Sequence, residues 1–173
     1  MSIHLIIDGY NLIRQSGRLS LLDRQDLKAG REALVEALAK YKKIKHHKIT
    51  VVFDGANAPS LIPSRDYIKG IRIKFSRLDE SADTVIKKMA AREREKAVIV
   101  TSDRDIINQA VSSGSASISS LHFEEKMIMA EYMDIKGVDE EDEPGWVPTT
   151  KKKGPGRRLP KKDWRSRSKI NKL

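Results

Sequence analysis

Four times along this chain a short run of apolar and β-branched residues ends in acids. Residues 3–7 run into Asp8-Gly9, residues 48–53 into Asp54-Gly55, residues 71–75 towards Asp79, Glu80 and Asp83, and residues 97–101 into Ser102-Asp103-Arg104-Asp105. Short apolar runs that stop at turn residues read as buried strands, and a Gly after Asp lets the backbone turn where a side chain would obstruct it. Helical spacing follows the first, third and fourth runs, so an α/β fold with right-handed crossovers and a mainly parallel central sheet is expected. In such sheets the ligand crevice lies beyond the carboxyl ends of the strands. All four runs therefore deliver acids to one edge.

The first helix is expected from a Ser20 cap with Asp23 at its third position, after a loop through Ser16-Gly17-Arg18. Leu27, Leu34, Val35, Leu38, Ala39 and Tyr41 form its inward stripe. Residues 56–69 show no period, and they read either as a solvated connection or as a loop whose Arg65 and Lys69 close over a phosphate backbone. The third strand alternates apolar residues with Arg72 and Lys74, which sets it at or near a sheet edge. Ser81 is expected to cap a helix with Asp83 in its first turn, and Ser102 one with Asp103 and Asp105 in its first turn. A short fifth strand over 116–119 precedes a last helix from Ser120, with Glu124 and Glu125 in the first turn. No apolar helix face is left over for a dimer.

Asp in a helix's first turn is often only a partner for the helix dipole, worth a few tenths to about 1 kcal/mol. Asp8 and Asp54 stand before turns and fall outside that explanation. Two carboxylates about 4 Å apart repel by roughly 4 kcal/mol at an effective dielectric near 20, so their convergence needs a proton, a base or a divalent cation. A hard cation with oxygen ligands, Mg²⁺ or Mn²⁺, is the simplest resolution, and it completes its shell with waters and phosphate oxygens.

Other chemistries lose support. The chain has no cysteine, so thiol nucleophiles, disulfides and thiolate zinc sites are absent together. Its histidines, His4, His46, His47 and His122, show no metal-ligand spacing. Neither a dinucleotide fingerprint nor a phosphate-binding P-loop is present. An aspartyl-phosphatase motif would want Asp where Tyr10 stands, and a receiver-type module would leave Asp83 and Asp103 idle.

The 173 residues, 39% apolar, suit one modest core over residues 1–133. Residues 134–150 form an acidic linker. Residues 151–173 carry eleven Lys or Arg against Asp163 alone, which equals the net charge of +10 of the whole chain. This tail, with Lys151, Lys152, Lys153, Arg157 and Arg158 at its start, is expected to be disordered, either an interacting segment or a solubilising extension held against the acidic block at residues 139–143. No run reaches the 18 to 20 apolar residues, roughly, of a membrane span. The opening run lacks a basic leader, so a cytoplasmic protein is expected.

The blocks Asp8-Gly9-Tyr10-Asn11-Leu12, Val52-Phe53-Asp54-Gly55, Ser81-Ala82-Asp83-Thr84-Val85-Ile86 and Thr101-Ser102-Asp103-Arg104-Asp105 resemble, in order and spacing, the YacP-like NYN-domain family. That family is a PIN-related group of metal-dependent ribonucleases, and the resemblance covers about residues 2–133. It implies a PIN-like three-layer sandwich of about five strands and an acidic pocket holding Mg²⁺ or Mn²⁺. It also implies endonucleolytic cleavage of messenger RNA at the ribosome. Carried onto this sequence, Asp8, Asp83 and Asp103 would bind metal, with Asp105 a fourth carboxylate. Asn11 would orient a water or phosphate, and Asp54 would support the pocket. Many PIN relatives place Glu where Asp83 stands.

The reading is a divalent-metal-dependent endoribonuclease acting on single-stranded RNA, with a neutral catalytic domain and a cationic tail that binds RNA, ribosomal RNA being one candidate. The rival is a catalytically silent RNA- or ribosome-binding protein with a vestigial pocket.

Overall fold

The computed structural model describes residues 3–55, 67–136 and 161–173. The first strand, β1 (His4–Asp8), leads directly into α1 (Gly9–Gln15), α2 (Gly17–Gln25) and α3 (Leu27–Lys45). Then follow β2 (Lys48–Phe53), the two-residue β3 (Tyr67–Ile68), β4 (Ile71–Phe75) and α4 (Ala82–Glu93). A 3₁₀ turn (Arg94–Lys96), β5 (Ala97–Val100), α5 (Arg104–Ser112), β6 (Ala116–Ile118), α6 (Ser120–Lys136) and α7 (Lys161–Asn171) complete the order.

The sheet has six strands in the order β3-β4-β2-β1-β5-β6. All neighbours are parallel except β3, which pairs antiparallel with β4. The short β3 lies in the stretch read as a loop, and it places β4 one strand in from the edge. Strand pleating sends Leu5 and Ile7 to one face and Ile6 to the other. On the first face they join Leu34 and Leu38 of α3, Phe123 of α6 and Ile170 of α7. On the second, Ile6, Val52 and Ile99 pack against Val85, Ile86 and Met89 of α4 and Ile106 of α5. The result is the three-layer α/β sandwich, with β1 near the middle of the sheet.

Several helix starts differ from the expectation, for local reasons. The loop expected after Asn11 is α1, because the Asp8 carboxylate accepts the Asn11 N–H and nucleates a helix at Gly9. Ser20 lies inside α2, whose cap is Ser16 accepting the Leu19 N–H at 3.2 Å. The long amphipathic helix has its own cap, Asp26. Asp103, not Ser102, caps α5. α6 does start at Ser120, but Glu124 and Glu125 fall beyond its first turn.

Two findings concern surfaces. α6 buries Phe123, Met127 and Ala130 yet exposes Leu121, Ile128, Tyr132 and Ile135 on its opposite side. An apolar helix face is therefore left over after all, and Ile128, expected inside, is on it. The last part of the basic tail, expected to be disordered, is helical. α7 seats Ile170 against the core and Leu173 is buried, with its carbonyl accepting the Tyr41 hydroxyl at 2.7 Å.

Candidate active site at the carboxyl ends of the strands

Asp8 ends β1 and is mostly buried, and its two oxygens accept the Asn11 N–H at 3.2 Å and the Thr101 hydroxyl at 3.2 Å. Thr101 follows β5 and also accepts the Asp103 N–H at 3.1 Å, so one hydroxyl joins two of the acids. Asp103 then spends one oxygen on its own helix, accepting Asp105 N–H at 2.8 Å and Ile106 N–H at 3.3 Å. Asp83 stands in the first turn of α4, half-buried, behind the Ser81 cap.

These placements are coupled electrostatically. Burial raises the Asp8 carboxyl to about 6 and the Asp83 and Asp103 carboxylates push in the same direction, against the two hydrogen bonds that favour its ionised form. Lys87, one turn after Asp83, is held above its ordinary value by Asp105, with Asp83 and Asp103 adding to the effect. Asp83 and Asp103 thus act on Asp8, while Asp105 acts on Lys87.

Asn11 acts as a brace. Its side-chain oxygen accepts the Ser102 N–H at 2.9 Å and the Ser120 hydroxyl at 2.7 Å, tying α1 to the segments after β5 and β6. The oxygen is thereby committed to protein partners, leaving only the amide nitrogen for a water or phosphate. Asp54 sits half-buried just past β2. Gly55 beside it is required by close approach: a Cβ there would come within 1.9 Å of the Ser76 carbonyl oxygen. Gly9 is fixed likewise, since a Cβ would lie 2.3 Å from the Phe53 ring.

Asp105 is set apart from the other three acids. Its side chain is 80% exposed and pairs with Lys87, because its place just inside α5 turns it towards α4. Lys69 is also elsewhere: it lies in the β3–β4 turn at the amino end of β4, paired with Glu36 of α3. Arg65, Lys151, Lys152, Lys153, Arg157 and Arg158 lie outside the described residues. The histidine of β1, His4, is buried at the amino end of the sheet with Nε2 2.8 Å from the Thr50 hydroxyl.

Among the described residues no three carboxylate or imidazole groups stand close enough to form a ready-made ligand set. The donors nevertheless suit a hard cation. Mg²⁺ usually takes one or two carboxylates and keeps several waters, and a positive charge beside Asp8 would offset the burial, and the smaller push from Asp83 and Asp103, that raise its carboxyl. Asp8, Asp83 and Asp103 fit that role.

The model of the YacP-like NYN domain matches residues 5–165. The chain belongs to that family. It is a PIN-like nuclease family, and the match reaches into α7. Protein YacP of Bacillus subtilis (strain 168), described as uncharacterized, is 28% identical over 86 residues, and the chain spans about half the length of that curated relative. A crystal structure of Rae1 (YacP) from Bacillus subtilis superposes with a TM-score of 0.63 at 25% identity, covering 80% of each chain. A second, of a tryptophan-to-leucine mutant, gives 0.65 at 22% identity over 78% of this chain and 80% of that one.

Proposed function

We propose that this chain is a divalent-metal-dependent endoribonuclease that cuts single-stranded RNA, a messenger RNA engaged with the ribosome being the substrate the family resemblance favours. The observation that carries the reading is the hydrogen-bonded link from Asp8 through the Thr101 hydroxyl to the Asp103 backbone beyond β1 and β5, with Asp83 in the first turn of α4. Mg²⁺ or Mn²⁺ bound there would lower the pKa of a coordinated water and stabilise charge on the scissile phosphate. Asp8, Asp83 and Asp103 are the residues that would hold it. Thr101 fixes the orientation of Asp8 and the backbone of Asp103, while Asn11 fixes the loops that carry them. Lys87, one turn after Asp83 and paired with Asp105, would be a partner for an incoming phosphate if it exchanged that pair. The basic segment at 151–158 is assigned to the RNA backbone, with ribosomal RNA the alternative target.

Replacing Asp8 or Asp83 by Asn is expected to lower cleavage of single-stranded RNA in Mn²⁺ by about 100-fold or more, the loss reached when even a supporting group of a metal site is removed. Activity near wild type would sink the site. The rival reading is a silent RNA-binding protein. It predicts that Mn²⁺ leaves the melting curve unmoved, whereas a bound ion at 100 times its dissociation constant adds about 2.7 kcal/mol.

A further inference from the structure

α7 is held firmly although its sequence is mostly polar. Arg165 Nη1 lies 3.2 Å from the Glu95 carboxylate, Lys169 donates to the Glu95 backbone carbonyl, and Leu173 is buried beside Tyr41. With that side fixed, Trp164 is left 64% exposed on the solvent side of the helix, followed one turn later by the exposed Arg167. The anchor, Glu95, belongs to the 3₁₀ turn before β5, whose Arg94 and Lys96 flank it in sequence and are both exposed, and residues 92–96 line a groove of about 540 Å³. Arg94 has φ +48°, a left-handed backbone that a side chain disfavours.

This surface belongs to the amino ends of the strands, since β5 begins at Ala97 and its acids follow its other end. About six residues of extended chain separate Lys96 from Asp103, on the order of 20 Å. It is therefore distinct from the carboxylate pocket. Its composition argues for the kind of ligand. A protein-docking patch needs contiguous apolar area, and Trp164 is the one large exposed hydrophobic on the described part of α7. A lone aromatic among guanidinium and ammonium groups is what base stacking with phosphate neutralisation calls for.

We propose that the solvent side of α7, with Trp164 as a stacking platform and Arg94, Lys96 and Arg167 as phosphate partners, is a second contact for single-stranded RNA, remote from the carboxylates. It rests on the RNA-binding half of the proposed function and not on its chemistry. A strand held at both places runs across the edge of the sheet, so the contact serves long RNA and leaves short substrates untouched.

The test uses the full chain carrying Trp146→Phe, which leaves Trp164 as the sole tryptophan. Titration with an unstructured RNA about 20 nucleotides long, without divalent ions, should quench its emission. Trp164→Ala should weaken binding of that RNA by roughly five- to 150-fold, the range for one lost base stack. Trp164→Phe should restore most of it, and neither variant should shift the melting temperature. RNA that binds without changing the emission, Trp164→Ala binding as wild type, or a quench seen only on adding a protein partner would each overturn the proposal. Asp8→Asn in the same background separates the two readings. If it cleaves like wild type the nuclease fails, while the quench still decides this contact.

Discussion

Asp8 is the residue where structure and chemistry oppose each other. Burial raises its carboxyl from the ordinary 3.8 to about 6, so the folded state holds the proton more tightly than the unfolded one. Its contribution to stability is then greatest in acid and falls as pH rises from about 4 through 6. The loss amounts to roughly 3 kcal/mol, because each tenfold difference in proton affinity between the folded and unfolded chain is worth about 1.4 kcal/mol. Asp8→Asn removes the titration: it keeps an acceptor for the Asn11 N–H and can donate to the Thr101 hydroxyl. Without divalent ions the variant should melt several degrees above the wild type at pH 8, with a flatter dependence on pH between 4 and 7, while losing cleavage. Added Mn²⁺ should stabilise the wild type alone. Melting scans over pH check both statements, and a variant less stable at pH 8 would show that burial of Asp8 carries no such penalty. The positions of Asp8 and Asp103 beyond β1 and β5, and of Asp83 in the first turn of α4, were legible in the sequence because strand ends and helix starts are local signals. Thr101, Ser120 and Lys87 were not, since their roles depend on partners such as Asp8 and Asn11 that lie far away in sequence.

Among the elements, α7 tests how far composition determines order. Leu173 and Ile170 are few, but they fall on the side of the helix that meets the sheet, and Glu95 supplies the anchor for Arg165 and Lys169. Leu173→Ala should cost about 2 kcal/mol, the low end for a buried Leu. That corresponds to a fall of about 4–8 °C in melting temperature for a chain of this size. An unchanged melting temperature would return α7 to a detached tail. Periodicity made β1, β2, β4, β5 and β6 legible, as it did α3 to α6, because each shows its buried stripe within its own sequence. α1 and α2 were hidden by Gly9, Asn11 and Gly17, which read as turn formers until Asp8 and Ser16 are seen as caps. α7 was hidden because its partners, Glu95 and Tyr41, lie across the fold.

For the molecule as a whole, charge is divided unevenly along the chain. Residues 1–150 balance at 23 acids and 23 bases, so the excess of +10 lies in residues 151–173. On the proposed function, carboxylates at the cleavage site would repel phosphate locally, and the cationic segment would offset that by raising the concentration of RNA nearby. If Lys151, Lys152, Lys153, Arg157 and Arg158 each neutralise one phosphate of a single strand, each contributes about 0.7 to the slope of log affinity against log salt. Replacing all five by Gln should therefore flatten the slope by about 3 to 4 while leaving α7 seated and turnover at saturating RNA unchanged. Binding measured by anisotropy across a salt series reads the slope directly. Since Arg165 and Lys169 are already engaged with Glu95, they release few counterions and should contribute little to it. A slope indifferent to the five substitutions would place the RNA backbone on the folded body instead of on its basic extension.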